Sequence, residues 1–226
     1  GIEILLAPQG VVTLEFPHLL QLVEQNQFDT IYHEHFSYFS LLTTERIFAA
    51  HGLVLFDVEE LPSHGGSLRV FGRRAGSSSQ EPSRAVLELR AREQAAGFGS
   101  VGGYAGYTRR VEETKRNLLA FLIEAKRGGK SVVAYGAPGK GNTLLNYCGI
   151  RCDFVDFAVD RNPYKHGKFT PGTHIPIRPV EALAEARPDY ILILPWNLRR
   201  EIAAQLEHAR DWGARFVVPI PKLEIW

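Results

Sequence analysis

The stretch SVVAYGAPGKGNTLLNYCGI, residues 131–150, joins an apolar run to a glycine-rich loop and then to a run with helical spacing. A short, wholly apolar strand followed by glycines and a helix is the building unit of an open α/β sheet. The same alternation continues downstream, with strands expected at 154–159, 190–194 and 216–218 and helices at 180–186 and 198–208. Segments of this length in that order argue for a mostly parallel sheet covered by helices. Upstream, residues 84–127 have a helical pattern, interrupted by GFGSVGGYAGY at 97–107 and ended by Gly128-Gly129. Val111, Leu118, Leu119 and Leu122 mark the apolar face of its second helix.

The first part of the chain has a different character. LLAPQGVVTLEFP reads as a helix end, a turn at Pro8-Gln9-Gly10 and a strand over 11–16. A short helix is expected at 18–25 and another, capped by Thr43-Thr44, through Ala50 to the stop at Gly52. Two strands follow, at 53–59 and 67–71. The polar stretch GRRAGSSSQEPS, residues 72–83, then marks a boundary. These breaks divide the chain into 1–75, a linker with helices over 76–127, and an α/β part over 128–226.

Composition narrows the functional classes. Apolar residues make up 45% and charged residues 23% of 226, the balance of a soluble globular protein. A net charge of +1 provides no field to attract nucleic acid or a membrane surface, and no run is long and apolar enough to span one. Two cysteines, Cys148 and Cys152, are too few for a disulfide framework or a zinc cluster and suit reduced thiols in the cytoplasm. There is no methionine and the chain opens at Gly1, so it is expected to be a piece of a longer protein.

Three segments could carry chemistry. Gly136, Gly139, Lys140, Gly141, Asn142 and Thr143 surround a helix start at the carboxyl end of a strand, where free N–H groups and an ammonium suit a phosphate or diphosphate. The glycine spacing fits neither a P-loop nor the full dinucleotide fingerprint, and glycines that serve only packing remain an alternative. Asp160 falls at an expected strand end, where a carboxylate often meets a ribose hydroxyl. Lys165, Lys168 and His174 follow in a loop facing the same crevice, with Lys168 read as simply exposed.

The third segment is IYHEHFSYFS, residues 31–40. On an extended backbone His33 and His35 would share one side and Tyr32 and Glu34 the other. As a metal site it lacks a third ligand. As core, it would bury at least one hydrogen-bonded histidine. As a proton-transfer site it would need a histidine held by a neighbour and shielded by apolar surface, and Glu34, Tyr32, Phe36 and Tyr38 are suitable neighbours.

Four stretches together, QFDTIYHEHFSYFS, GLVLFDVEELPSHGGSLRVF, YGAPGKGNTLLNYCGI and NPYKHGKFTPGTHIPI, closely resemble the S-adenosylmethionine-dependent sugar C-methyltransferases. These act on nucleotide-linked keto-deoxysugars in antibiotic pathways. The resemblance implies the end of a Rossmann-like methyltransferase domain over 1–75, the helical linker, and a Rossmann-like C-terminal α/β domain that binds the nucleotide-sugar. It implies that S-adenosylmethionine is held mainly by a preceding region that also carries a zinc domain, with no metal in this chain, so that the piece alone is inactive. It makes His35 the general base, with Tyr32 and Glu34 beside it, and leaves His33 to structure. It gives the diphosphate of a dTDP-sugar to Lys140 and the 139–143 backbone, with Asp160 or Lys165 reaching the polar groups. A nucleotide-sugar binding module without catalysis and a dinucleotide-dependent oxidoreductase domain are the competing readings.

Overall fold

Residues 1–77 and 81–226 are described by a computed structural model, and they pack as two units. One comprises residues 1–25 and 36–108, the other residues 26–35 and 109–226. The packing thus places the ten-residue segment ending at His35 with the C-terminal unit, apart from the residues that flank it in sequence.

The first unit begins with α1 (Ile2–Leu5), β1 (Val12–Pro17) and α2 (Leu19–Glu24). It continues through α3 (Leu41–Ala50), β2 (Leu53–Leu61), β3 (Ser67–Arg74) and α4 (Arg84–Ala95). The strands form an antiparallel sheet in the order β1-β3-β2, with a bulge between Leu55 and Asp57. Leu20, Leu41, Phe48, Leu55, Leu68, Val70, Val86 and Leu89 form its core. The expected helix cap lies earlier than Thr43: Ser40 Oγ accepts from the Thr43 N–H, and the helix starts at Leu41. Buried Glu93 on α4 completes that cap by accepting from the N–H groups of Leu41 and Leu42 at 2.8 and 2.9 Å. His18 Nε2 donates to the same carboxylate at 3.0 Å, so an acid without solvent has all its strong donors supplied by one helix start and one ring. Of the boundary stretch 72–83, residues 72–74 belong to β3, Ser83 caps α4, and residues 78–80 lie outside the described residues.

In the second unit, α5 (Tyr107–Arg127, here from Arg109) precedes β4 (Val132–Tyr135) and α6 (Gly139–Cys148). Then come β5 (Ala158–Val159), β6 (Ile177–Arg178), α7 (Ala182–Ala186), β7 (Tyr190–Ile193), α8 (Arg199–Gln205), β8 (Arg215–Val218) and β9 (Glu224–Ile225). The sheet order is β6-β5-β4-β7-β8-β9, parallel except for β9. The chain leaves β4 in one direction, returns to β7 on the other side, and so creates a switch point at β4 and β7. This is the α/β arrangement expected from the alternating pattern, and its order is that of a Rossmann-like sheet.

Two expected elements are shorter than their sequences suggest. The strand over 154–159 is reduced to Ala158–Val159, because the N–H groups of Phe154 and Val155 both turn back to Arg151 O. The helix over 198–208 splits into a 3-10 turn at Trp196–Leu198, α8, and a second 3-10 segment at Glu207–Trp212.

Two glycines fix how α6 meets the sheet. Gly136 has φ +84°, and a Cβ there would fall 2.7 Å from the Pro195 ring, while one at Gly141 would fall 2.9 Å from Leu194 Cβ. Gly136→Ala is expected to cost about 1–3 kcal/mol, since it adds a clash to the backbone strain. Gly149→Ala, at φ +76° with open space around it, is expected to cost only about 1 kcal/mol. Urea unfolding of the two variants compares them; equal losses would contradict the close packing at Gly136.

Candidate functional site

The segment 26–35 is fastened to the C-terminal unit at four points. Asn26, at φ +54°, donates from Nδ2 to Thr114 Oγ1 at 2.7 Å and Arg110 O at 3.3 Å, both on α5. Phe28 is buried and meets the Tyr147 ring of α6 edge-on, with centroids 5.2 Å apart. Asp29, in the 3-10 turn Phe28–Thr30, is 0% exposed and accepts from Trp196 Nε1–H at 2.7 Å. The Tyr32 ring lies against Gly139, where a Cβ would come within 3.2 Å of it.

The histidines follow directly. His35 N–H donates to Tyr32 O at 3.0 Å, so residues 32–35 form a tight turn and not the extended run assumed from sequence. The period-2 alternation that would have put His33 and His35 on one side is therefore absent. The His35 ring stands at 89° to the Tyr32 ring with centroids 4.8 Å apart, and His33 is tilted to Tyr32 at 6.2 Å. Tyr32 and His35 are half-buried, whereas His33 and Glu34 are exposed. Among the described residues, no group of three or more His, Cys, Asp or Glu side chains is placed to hold a metal ion.

Beside this turn is the glycine loop. Pro138 is the N-cap of α6 and makes no side-chain cap hydrogen bond, so the positive end of the helix dipole lies at this loop. Thr143 Oγ1 donates back to Gly139 O at 3.3 Å, and Asn142 Oδ1 is buried without a partner. Lys140 Nζ stands 4.9 Å from the Trp196 ring centroid. Burial pulls its pKa below the usual lysine value, although the Asp29 charge opposes this. Burial conversely pushes Asp29 up from 3.8 to about 6, against the pull of the Trp196 bond and the Lys140 charge.

Asp160 is also spoken for. Its Oδ2 accepts from Ala137 N–H at 2.8 Å and from Lys165 Nζ at 3.0 Å, and its Oδ1 accepts from Asn162 N–H at 2.8 Å. Lys165 Nζ also donates to Ala137 O at 3.0 Å. Burial raises this carboxyl, but these N–H groups and the lysine outweigh it and hold the pKa below the usual carboxylate value. The structure thus joins Tyr32, His35, Gly139 and Lys140 in one neighbourhood, and separately ties Asp160 and Lys165 to the floor of the glycine loop. The sequence reading missed Asp29 and Trp196.

Residues 62–221 match the family described as the C-methyltransferase C-terminal domain. The chain belongs to this C-methyltransferase family. C-methyltransferase NovU from Streptomyces niveus is 40% identical over 222 residues, which cover 98% of the chain and 53% of that protein. The chain therefore spans about half the length of the curated relative it matches. Methyltransferases of this kind use S-adenosylmethionine as the methyl donor.

A buried acid with a raised pKa holds its proton more tightly folded than unfolded, so its stabilising effect is present at low pH and lost as pH rises through about 6. Relative to Asp29→Asn, the native protein is expected to lose roughly 2–3 kcal/mol of stability between pH 4 and pH 7. Urea unfolding across that window measures the difference; a gap that does not change with pH would contradict the raised value.

Proposed function

We propose that this chain supplies the proton-abstracting turn and the nucleotide-sugar half of a C-methyltransferase acting on a dTDP-linked keto-deoxysugar. What carries the reading is the packing of Tyr32 on Gly139, which sets the His35 turn beside the uncapped start of α6. The two parts of one substrate, a diphosphate and a carbon acid, then have neighbouring partners.

In this reading a His35 ring nitrogen takes the proton from the carbon beside the sugar ketone. The released electron pair moves onto the ketone oxygen as an enolate, which a nearby hydrogen-bond donor stabilises. Tyr32 sets the plane of the His35 ring through their edge-to-face contact, and exposed Glu34 is free to orient the sugar. The first-turn amides of α6 hold the diphosphate, with Lys140 adding charge from its place above Trp196. Gly136 and Gly141 serve by letting α6 approach the sheet, and Asn142 and Thr143 by continuing its first turn. Asp160 and Lys165 fix Ala137, and through it the loop. S-adenosylmethionine supplies the methyl group when bound, and no glycine-loop residue is assigned to it.

Deprotonation needs the base and the sugar alone, so it can be followed without the methyl donor as deuterium uptake at the carbon next to the ketone. His35→Asn is expected to slow that exchange by at least about 100-fold, with dTDP affinity retained. Lys140→Ala is expected to weaken dTDP binding roughly three- to tenfold. Exchange at full rate in His35→Asn would remove it as the base, and preference for NAD over dTDP would contradict the nucleotide-sugar assignment.

A further inference from the structure

The proposed base sits on a short turn, and such turns hold a geometry only when something outside them does so. His33, Glu34 and His35 have no regular secondary structure around them. The ordered element that leads into them is the 3-10 turn Phe28–Thr30, and its middle residue is the buried Asp29. A carboxylate without solvent exposure is expensive to keep, and an apolar side chain of similar volume would fill the position at lower cost. Asp29 nonetheless has only part of its capacity used: Oδ2 takes the Trp196 indole N–H, while Oδ1 is buried with no hydrogen-bond partner. Thr30 Oγ1, next in sequence, is also buried and unpartnered. Stability does not explain such an arrangement. A directional bond does, because it fixes the turn's orientation as an apolar contact could not.

The bond joins parts of the chain that meet at the proposed site. Trp196 opens the 3-10 turn after β7, on the carboxyl side of the switch point, and its ring lies under the Lys140 ammonium of α6. Asp29 is three residues from Tyr32, whose ring rests on Gly139 of the same helix. Asp29, Trp196 and Lys140 thus form one polar cluster beneath the turn, with Tyr32 and His35 following from it.

We propose that Asp29 is a positioning residue for His35: its bond to Trp196 sets the register of the 28–30 turn on α6, and so the direction in which Tyr32 presents the His35 ring. This rests on the reading of His35 as the base, but the geometric part stands apart from it. Asp29 touches no reacting atom.

The test uses the whole protein and has two arms. In the first, histidine ring resonances are recorded by NMR, with the His35 signal assigned through its loss in His35→Asn. Asp29→Ala is expected to shift and broaden the His35 signal and leave those of His166, His174 and His208 in place. Asp29→Asn, which keeps an acceptor for the indole, is expected to restore most of the native signal. Trp196→Phe removes the donor instead and is expected to reproduce the alanine effect, which keeps the test open if Asp29→Ala fails to fold. In the second arm, deuterium exchange at the sugar carbon is expected to fall at least about tenfold in its maximal rate in Asp29→Ala, with KM nearly unchanged. A folded Asp29→Ala or Trp196→Phe protein with the native His35 signal would overturn the proposal. Native protein that exchanges no deuterium would defeat the methyltransferase reading, and the NMR arm would still decide the role of Asp29.

Discussion

One hydrogen bond, from the Trp196 indole to the Asp29 carboxylate, holds together residues 167 positions apart in sequence. It is made out of contact with solvent, where a lost bond leaves an uncompensated polar group and carries a larger penalty than at the surface. The segment around Asp29 has little else that is regular: a 3-10 turn and then the tight turn 32–35. With the bond in place, Phe28 can dock on Tyr147 and Tyr32 on Gly139. These contacts make the segment a part of the C-terminal α/β unit despite its place in the chain.

That arrangement changes what the glycine loop is for. Gly136 and Gly141 allow the strand and α6 to approach Pro195 and Leu194, and Gly139 leaves room for an aromatic ring. Packing and anion binding are not rivals in this reading, because the glycines that permit the approach and the helix start without a side-chain cap, at Pro138, belong to the same loop. Lys140 illustrates the balance. Its ammonium is drawn toward Trp196 and Asp29, so it stiffens the support of the turn while lending charge to the helix start.

The parallel sheet was legible because its central strands, β4 and β7, are short, without charged residues and separated by glycine and helix signals. The region 131–150 shows this most clearly. The turn at 32–35 was not legible: a run rich in aromatics with alternating histidines reads as extended, and only the contacts of Tyr32 decide otherwise. Glu93 and Asp29 were missed for a common reason. Each is an acid whose partners lie far away in sequence, at α3 for Glu93 and after β7 for Asp29. Asp29 lies among polar residues, after Asn26 and Gln27 and before Thr30, so its burial had no local signal in the sequence. Asp160 was placed correctly at a strand end, but its engagement with Lys165 and two backbone N–H groups depends on loop geometry that no spacing reveals.

A double-mutant cycle between Asp29 and Trp196 tests most directly whether this bond fastens the turn to the α/β unit. Unfolding free energies of the native protein, Asp29→Ala, Trp196→Phe and the double variant give the coupling between the two side chains. The account predicts about 1.5–3 kcal/mol of coupling, the range for a buried bond to a charged group. Additive losses would show that the two side chains stabilise the fold independently, and would contradict it.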